Sequence, residues 1–181
     1  DNKVSDIARF CAKTMTGLPS IIAGVIVFTA VVLAMGTYSA WAGGIALSLL
    51  MIPVVMLTAE EAIKMVPNPM REAAYGMGCT KAQSMTKVIL PVALPAIITG
   101  VVLAVARAAG ETAPLLFTAL FSNYWLRTQE PTASLAVLIY NFSGMPFENQ
   151  IEMAWTASLI LVALVFVLNM LSRAVGRLTK V

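Results

Sequence analysis

The chain has 181 residues, of which 59% are hydrophobic and 12% charged, with a mean hydropathy of +0.85. Soluble domains carry about 25% charged residues, and a monomer this apolar would expose more nonpolar surface than water tolerates, so a soluble domain is excluded. The net charge of +3 is small, and with no histidine the commonest acid–base catalyst and metal ligand is missing. Cys11 and Cys79 show no metal-ligand or redox spacing, which argues against a disulfide scaffold.

A membrane-spanning helix needs about 17–25 mostly apolar residues, and the chain offers four such stretches. Before the first, Val4, Ile7, Phe10, Cys11 and Leu18 recur at roughly helical spacing against Arg9 and Lys13. This pattern predicts an interfacial helix on the cytoplasmic surface, or else the continuation of an earlier helix. The first crossing is expected over residues 18–35 and the second over 41–57.

Residues 58–91 are too long for a passive helix–helix link, which ordinarily takes about 2–8 residues. Asn68 offers an N-cap with Pro69 at the first helical position and Glu72 in the first turn. Gly76 and Gly78 end that helix, and Thr80-Lys81-Ala82-Gln83 is a capping-box pattern that starts another. A helix–glycine–helix elbow follows, with Ala73, Ala74 and Gly78 leaving a small outer surface for another protein, or packing on the chain's own helices.

The third apolar stretch runs over 92–121 and is too long for one upright crossing. It accommodates its length by tilting or by bending at Pro114. Residues 122–152 hold Pro131, Asn141, Gly144, Pro146 and Asn149, turn formers around a short partly buried element near Leu135–Tyr140. The fourth crossing is expected over 153–171. Trp41, Trp125 and Trp155 fall near one set of boundaries, as an aromatic belt does. Glu60 and Glu61 read as solvated residues at a helix end, and the methionines as filler.

Four crossings put both ends of the chain and the elbow on one side. That side collects Lys3, Arg9, Lys13, Lys64, Arg71, Lys81, Lys87, Arg173, Arg177 and Lys180, against Arg127 opposite. Basic residues favour the cytoplasmic face, so both ends and the elbow are expected in the cytoplasm. The start at Asp1, without initiator methionine or signal peptide, reads as that of an N-terminally truncated piece.

Arg107 and Glu111 are the ionisable residues inside a crossing. A charge at the bilayer centre costs roughly 2.5–3.5 kcal/mol, so it pairs or lines a polar path. Their i,i+4 spacing shares a helix face with Gly100, Ala104 and Ala108. Counted from the cytoplasmic end, Arg107 lies roughly 15 residues in, on the order of 22 Å, toward the outer half. The residues alone leave a structural ion pair and a transport role equally open.

Glu72-Ala73-Ala74, three residues, Gly78, nine residues, then Val88-Ile89-Leu90-Pro91 resembles the EAA signature of ABC importer permeases, E-A-A-x3-G-x9-I-x-L-P. The one departure is the conservative Val88. The stretch from Arg107 to Ala119 looks like the phosphate-specific permeases of the PstA type, and Leu18–Ile22, Ala133–Asn141 and Asn169–Arg173 fit the same group.

The resemblance implies an all-α integral membrane fold, a type I ABC importer transmembrane domain whose elbow is a coupling helix. Such members usually have six crossings, so this chain would lack two. It further implies a bacterial plasma (inner) membrane location, with inorganic phosphate as cargo. The implied partners are an ATP-binding subunit dimer, a second permease subunit of the PstC type, an extracytoplasmic phosphate-binding protein and membrane lipid. No cofactor, metal or nucleic acid is called for. Glu72, Ala73, Ala74 and Gly78 would touch the ATPase, while Arg107 would meet phosphate, held and screened by Glu111. The chain carries no G-x-x-x-x-G-K-[ST] loop, so ATP hydrolysis is expected of a separate subunit. The rivals are a same-fold permease for sulfate or molybdate, and a phosphate-sensing membrane subunit. An intramembrane enzyme would need paired acids, a metal cluster or an activated nucleophile, which one Arg/Glu pair is not.

Overall fold

The apolar runs fold as helices, which satisfy their backbone hydrogen bonds within one segment and so need no water to do it. A computed structural model describes residues 3–124 and 127–178, the side chains of 175, 177 and 178 excepted. Trp125, Lys180 and the Arg177 side chain, invoked above, lie outside the described residues. Among the described residues there are eight helices and no strand. They are α1 (Lys3–Thr16), α2 (Ser20–Met35), α3 (Ala40–Lys64), α4 (Asn68–Gly76), α5 (Lys81–Ala108), α6 (Ala113–Thr118), α7 (Leu135–Ser143) and α8 (Glu148–Leu178). Helices α3, α5 and α8 are each long and apolar enough to cross a membrane. A fourth span arises if α1 and α2, bent by 104° at their junction, are taken together.

The core of the bundle is α5, with α3 on one side and α8 on the other. Gly100 meets Thr58 of α3, where an added Cβ would stand 2.7 Å from the threonine hydroxyl oxygen. On the other side Thr99 and Ser172 exchange hydrogen bonds: each hydroxyl donates to the other's carbonyl, at 3.3 and 3.2 Å. Both neighbours run antiparallel to α5, since Ala62 and Val66 pack on Ile89 and Ala93 below, while Gly110 lies beside Leu161–Asn169 above.

These pairings set the level of Arg107 in the bundle. The first apolar turns of α5 lie level with Glu60 and Lys64 of α3, packed on Ala62 and Val66. Arg107 is about eight residues past Thr99, on the order of 12 Å along the axis, which is level with Met51 of α3 and the middle of α8. It stands level with the middle of α3 and of α8, in the last turn of α5 itself.

The apolar stretch expected to run from 92 to 121 divides. Helix α5 ends at Ala108, residues 109–112 break, and α6 packs back against α2 and α3. The break precedes Pro114, which sits in the first turn of α6 where a missing N–H is harmless. Gly24 of α2 makes this fold-back possible, because a Cβ there would lie 2.7 Å from the Pro114 Cα. Helix α7 supplies the short element expected between the third and fourth stretches. Its Ser134 cap accepts from the Val137 amide, and Val137 is fully buried against Leu115 and Ala119. Trp41 and Trp155 stand exposed near the starts of α3 and α8, at the same end of the bundle.

Two π-helical turns interrupt the helices, at Phe28–Val32 and Met85–Ile89. The second sits just before Pro91, whose ring in α register would collide with the carbonyl four residues back. The wider turn avoids that collision, with the Leu90 amide donating to the Met85 carbonyl.

Gly24→Ala should destabilise the protein by about 1–3 kcal/mol, since its new methyl meets backbone rather than a yielding side chain. Gly44→Ala, with open space around its Cβ position, should not. Thermal unfolding in detergent compares the two directly.

Candidate functional site

Two places gather the residues singled out by sequence: the elbow built on α4, and a cavity around Arg107. In the elbow, the cap is Pro67, not Asn68. Asn68 is already helical, no side chain caps the start, and Glu72 falls just beyond the first turn. Pro67 brings the chain in extended at ψ 139, and its carbonyl takes the Met70 amide at 3.1 Å. The helix ends in a full Schellman motif. The Gly78 amide donates to Tyr75 O at 2.9 Å, and the Cys79 amide to Ala74 O at 3.1 Å. Gly78 takes φ +83, a conformation that costs any L side chain about 1–2 kcal/mol. Thr80 then forms the predicted capping box with Gln83.

Of the four elbow residues, Glu72 and Ala73 are exposed and Gly78 shapes the turn. Ala74 is buried and faces the chain's own side, so it offers no outer surface. The structure adds Met70 and Met77, both exposed. With Ala73 they recur at i, i+3 and i+7, one apolar stripe along the outer face of α4. The two methionines read as filler in sequence because methionine carries no positional signal of its own.

The elbow is tied to the bundle by cations. Arg71 Nη2 donates to the Ile63 carbonyl at 2.6 Å, which otherwise accepts only the Val66 amide at 3.4 Å, among the described residues, at the end of α3. Glu60 is not merely solvated: Arg9 Nε of α1 donates to its Oε1 at 2.7 Å, and Lys64 joins the pair. Glu60 lies past the apolar run that ends near Leu57. Its carboxyl is held at about 2, first by the Arg9 hydrogen bond and then by that from Lys64. A carboxyl lowered on folding stabilises fully above its ordinary range and loses that contribution as pH falls through the folded value. The clasp should therefore hold through mildly acidic pH and open only near 2.

From this clasp α1 climbs along α3, and Met15 and Thr16 reach a cavity of about 120 Å³ that Met51 of α3 also lines. The predicted surface-lying helix is thus inclined into the bundle, with Val4, Ile7 and Phe10 exposed on its far side. Ser20, at the start of α2, joins the same wall, and Arg107 and Glu111 face it from α5 and the break. One water needs roughly 10–15 Å³ on this measure, so the cavity has room for a small hydrated ion. Arg107 Nε stands 3.9 Å from Glu111 Oε1, an ion pair too long for a hydrogen bond. The Arg107 side chain is 71% exposed and that of Glu111 24%. Sequence reasoning found both charges and missed Ser20 and Thr16, which meet them only because the chain bends between α1 and α2.

Gly78→Ala should loosen the elbow by about 1–2 kcal/mol through backbone strain, whereas Gly76→Ala should not. Hydrogen–deuterium exchange over residues 74–80 reads this as faster exchange at position 78 and Cys79 in the first variant alone.

The sequence matches the family described as binding-protein-dependent transport system inner membrane component over residues 1–181. It is 40% identical over 173 residues to the phosphate transport system permease protein PstA of Yersinia pestis, covering 95% of this chain and 59% of that protein. The PstA of Haemophilus influenzae is 41% identical over 174 residues, covering 95% and 61%. A probable PstA of Methanocaldococcus jannaschii is 40% identical over 155 residues, covering 84% and 55%. The chain thus spans roughly three fifths of the length of these relatives. Its fold matches a chain of the MetNI methionine ABC transporter in inward-facing conformations, with a TM-score of 0.78 at 22% identity, covering 99% of this chain and 75% of that one. The chain therefore has the all-helical transmembrane fold of an ABC importer and belongs to the binding-protein-dependent transport system inner membrane component family.

Proposed function

We propose that the protein is the transmembrane permease subunit of an ATP-driven importer of inorganic phosphate. The observation that carries this reading is the cavity halfway along the apolar helices, with the Arg107 guanidinium in its wall. A guanidinium presents donors in a planar fork that matches oxyanion geometry. Midway along the spanning helices is where transporters place their substrate sites. The substrate is supported by the relatives named as phosphate permeases at 40–41% identity.

The cytoplasmic side is the one that carries the elbow and the basic residues, and both ends of this chain lie there. The outer face of α4, with Met70, Glu72, Ala73 and Met77, docks on a separate ATP-hydrolysing subunit, and Gly78 shapes the turn behind it. A second permease subunit completes the pathway, and an external binding protein delivers the anion. ATP binding closes the ATPase pair, the elbow moves with it, and Arg71 and the shared helix α5 carry that motion to the cavity. The cavity then opens outward, and hydrolysis returns it inward. No covalent step takes place in this chain.

Arg107→Gln in the full-length protein should abolish radiolabelled phosphate uptake by cells that depend on this importer, at unchanged assembled levels. Excess sulfate should leave wild-type uptake intact. Normal uptake by the variant would return Arg107 to a structural ion pair, and sulfate-sensitive uptake would change the substrate.

A further inference from the structure

Glu111 is the member of the cavity that an anion path does not explain. An ionised carboxylate has only acceptors, and in the wall of an anion cavity it repels the cargo. As a counter-charge Glu111 pairs with Arg107 at 3.9 Å, beyond the roughly 2.7–2.9 Å of a charge-assisted hydrogen bond, so the pairing leaves the carboxylate lone pairs open to a donor. Among the described residues no donor bonds to the Glu111 side chain. Nor does Glu111 extend the α5 helix. It lies in the break after Ala108, its own amide donating to the Ala108 carbonyl at 3.1 Å, and it lines the cavity from there.

The rest of the wall supplies the complementary groups. Arg107 offers donors. The Ser20 hydroxyl makes no hydrogen bond among the described residues and is free to donate. The Thr16 hydroxyl already donates to the Lys13 carbonyl at 2.7 Å, leaving its lone pairs toward the cavity. The cavity thus presents donors on two sides and an acceptor-only group on a third.

We infer that Glu111 reads a proton on the transported anion. The cavity takes a tetrahedral oxyanion bearing a hydroxyl, whose O–H donates to the Glu111 carboxylate while Arg107 and Ser20 donate to its unprotonated oxygens. This rests on the phosphate reading and gives it a selectivity. Phosphate and arsenate carry such a hydroxyl at neutral pH. Sulfate does not, and would leave Glu111 both unpaired and facing a like charge. Sites built to bond a ligand O–H reject analogues lacking it far more strongly than apolar pockets reject a misfit.

The test uses the full-length protein in its assembled importer, in lipid nanodiscs without the external binding protein, so that only the permease selects. Bound radiolabelled phosphate is displaced by unlabelled arsenate or sulfate. Wild type should release phosphate to arsenate and hold it against sulfate. Glu111→Gln, whose amide donates to an unprotonated oxygen, should lower the phosphate-over-sulfate preference about tenfold or more. Glu111→Asp, which keeps the carboxylate, should retain most of it, and comparable assembly of both variants excludes misfolding. An unchanged preference in Glu111→Gln overturns the inference and leaves Glu111 as a counter-charge. The phosphate reading fails separately, in the uptake experiment, where Glu111 is unaltered.

Discussion

Where α3 and α5 meet, a Cβ on Gly100 would stand 2.7 Å from the Thr58 hydroxyl oxygen, so the two backbones approach at a distance that only glycine allows. That contact sets the register of the bundle. Thr58 opposite Gly100 puts Met51 opposite Arg107, and the Thr99–Ser172 exchange beside it fixes α8 at the same level. A second glycine contact, Gly24 on Pro114, turns α6 back onto α2. The cavity exists because these two contacts hold α2, α3 and α5 close enough to share a wall, yet leave the α1–α2 bend unfilled. Small residues serve here as they do in membranes generally, where lipid removes the hydrophobic drive between helices and packing has to replace it.

Local chemistry was readable in the sequence wherever its partners are neighbours. The Thr80–Gln83 capping box and the glycine stop after α4 require only a few consecutive residues, and both form. The Pro67 cap was missed by one position because Asn68-Pro69 and Pro67-Asn68 carry equivalent signals. Long-range pairings left no trace. Arg9 and Glu60 are 51 residues apart, and nothing in either segment announces the other. The end of α5 at Ala108 was hidden by composition, since apolar residues continue through the break. Gly110 was its one local sign. The first turns of α5 set Ile89 and Ala93 on Ala62 and Val66 while Leu90, Val92 and Leu94 stay exposed, so hydropathy alone does not separate the packed from the outward-facing residues there.

The elbow illustrates how one signature serves two purposes. Glu72 and Ala73 face outward, but Ala74 is buried and Gly78 holds a left-handed turn that closes the helix. Half of the motif thus builds the elbow and half presents it. The proline of the same motif, Pro91, is accommodated by the π turn at Met85–Ile89, which joins the elbow to α5 without a break in the helix. Motion at α4 therefore has a continuous path into the helix that carries Arg107.

That path does not act on α5 alone. Arg71 binds the elbow to the last turn of α3, and Glu60 one turn earlier binds α3 to α1. Three of the cavity's walls, from α1, α3 and α5, are thus tied at one end to the same small helix. The fourth, from α2, packs on α6 through Gly24 and Pro114 and on α3 as well. On the proposed reading a displacement of the elbow reaches the cavity through α3 and α5 together, and α2 with its Ser20 is coupled to it through its packing on α3.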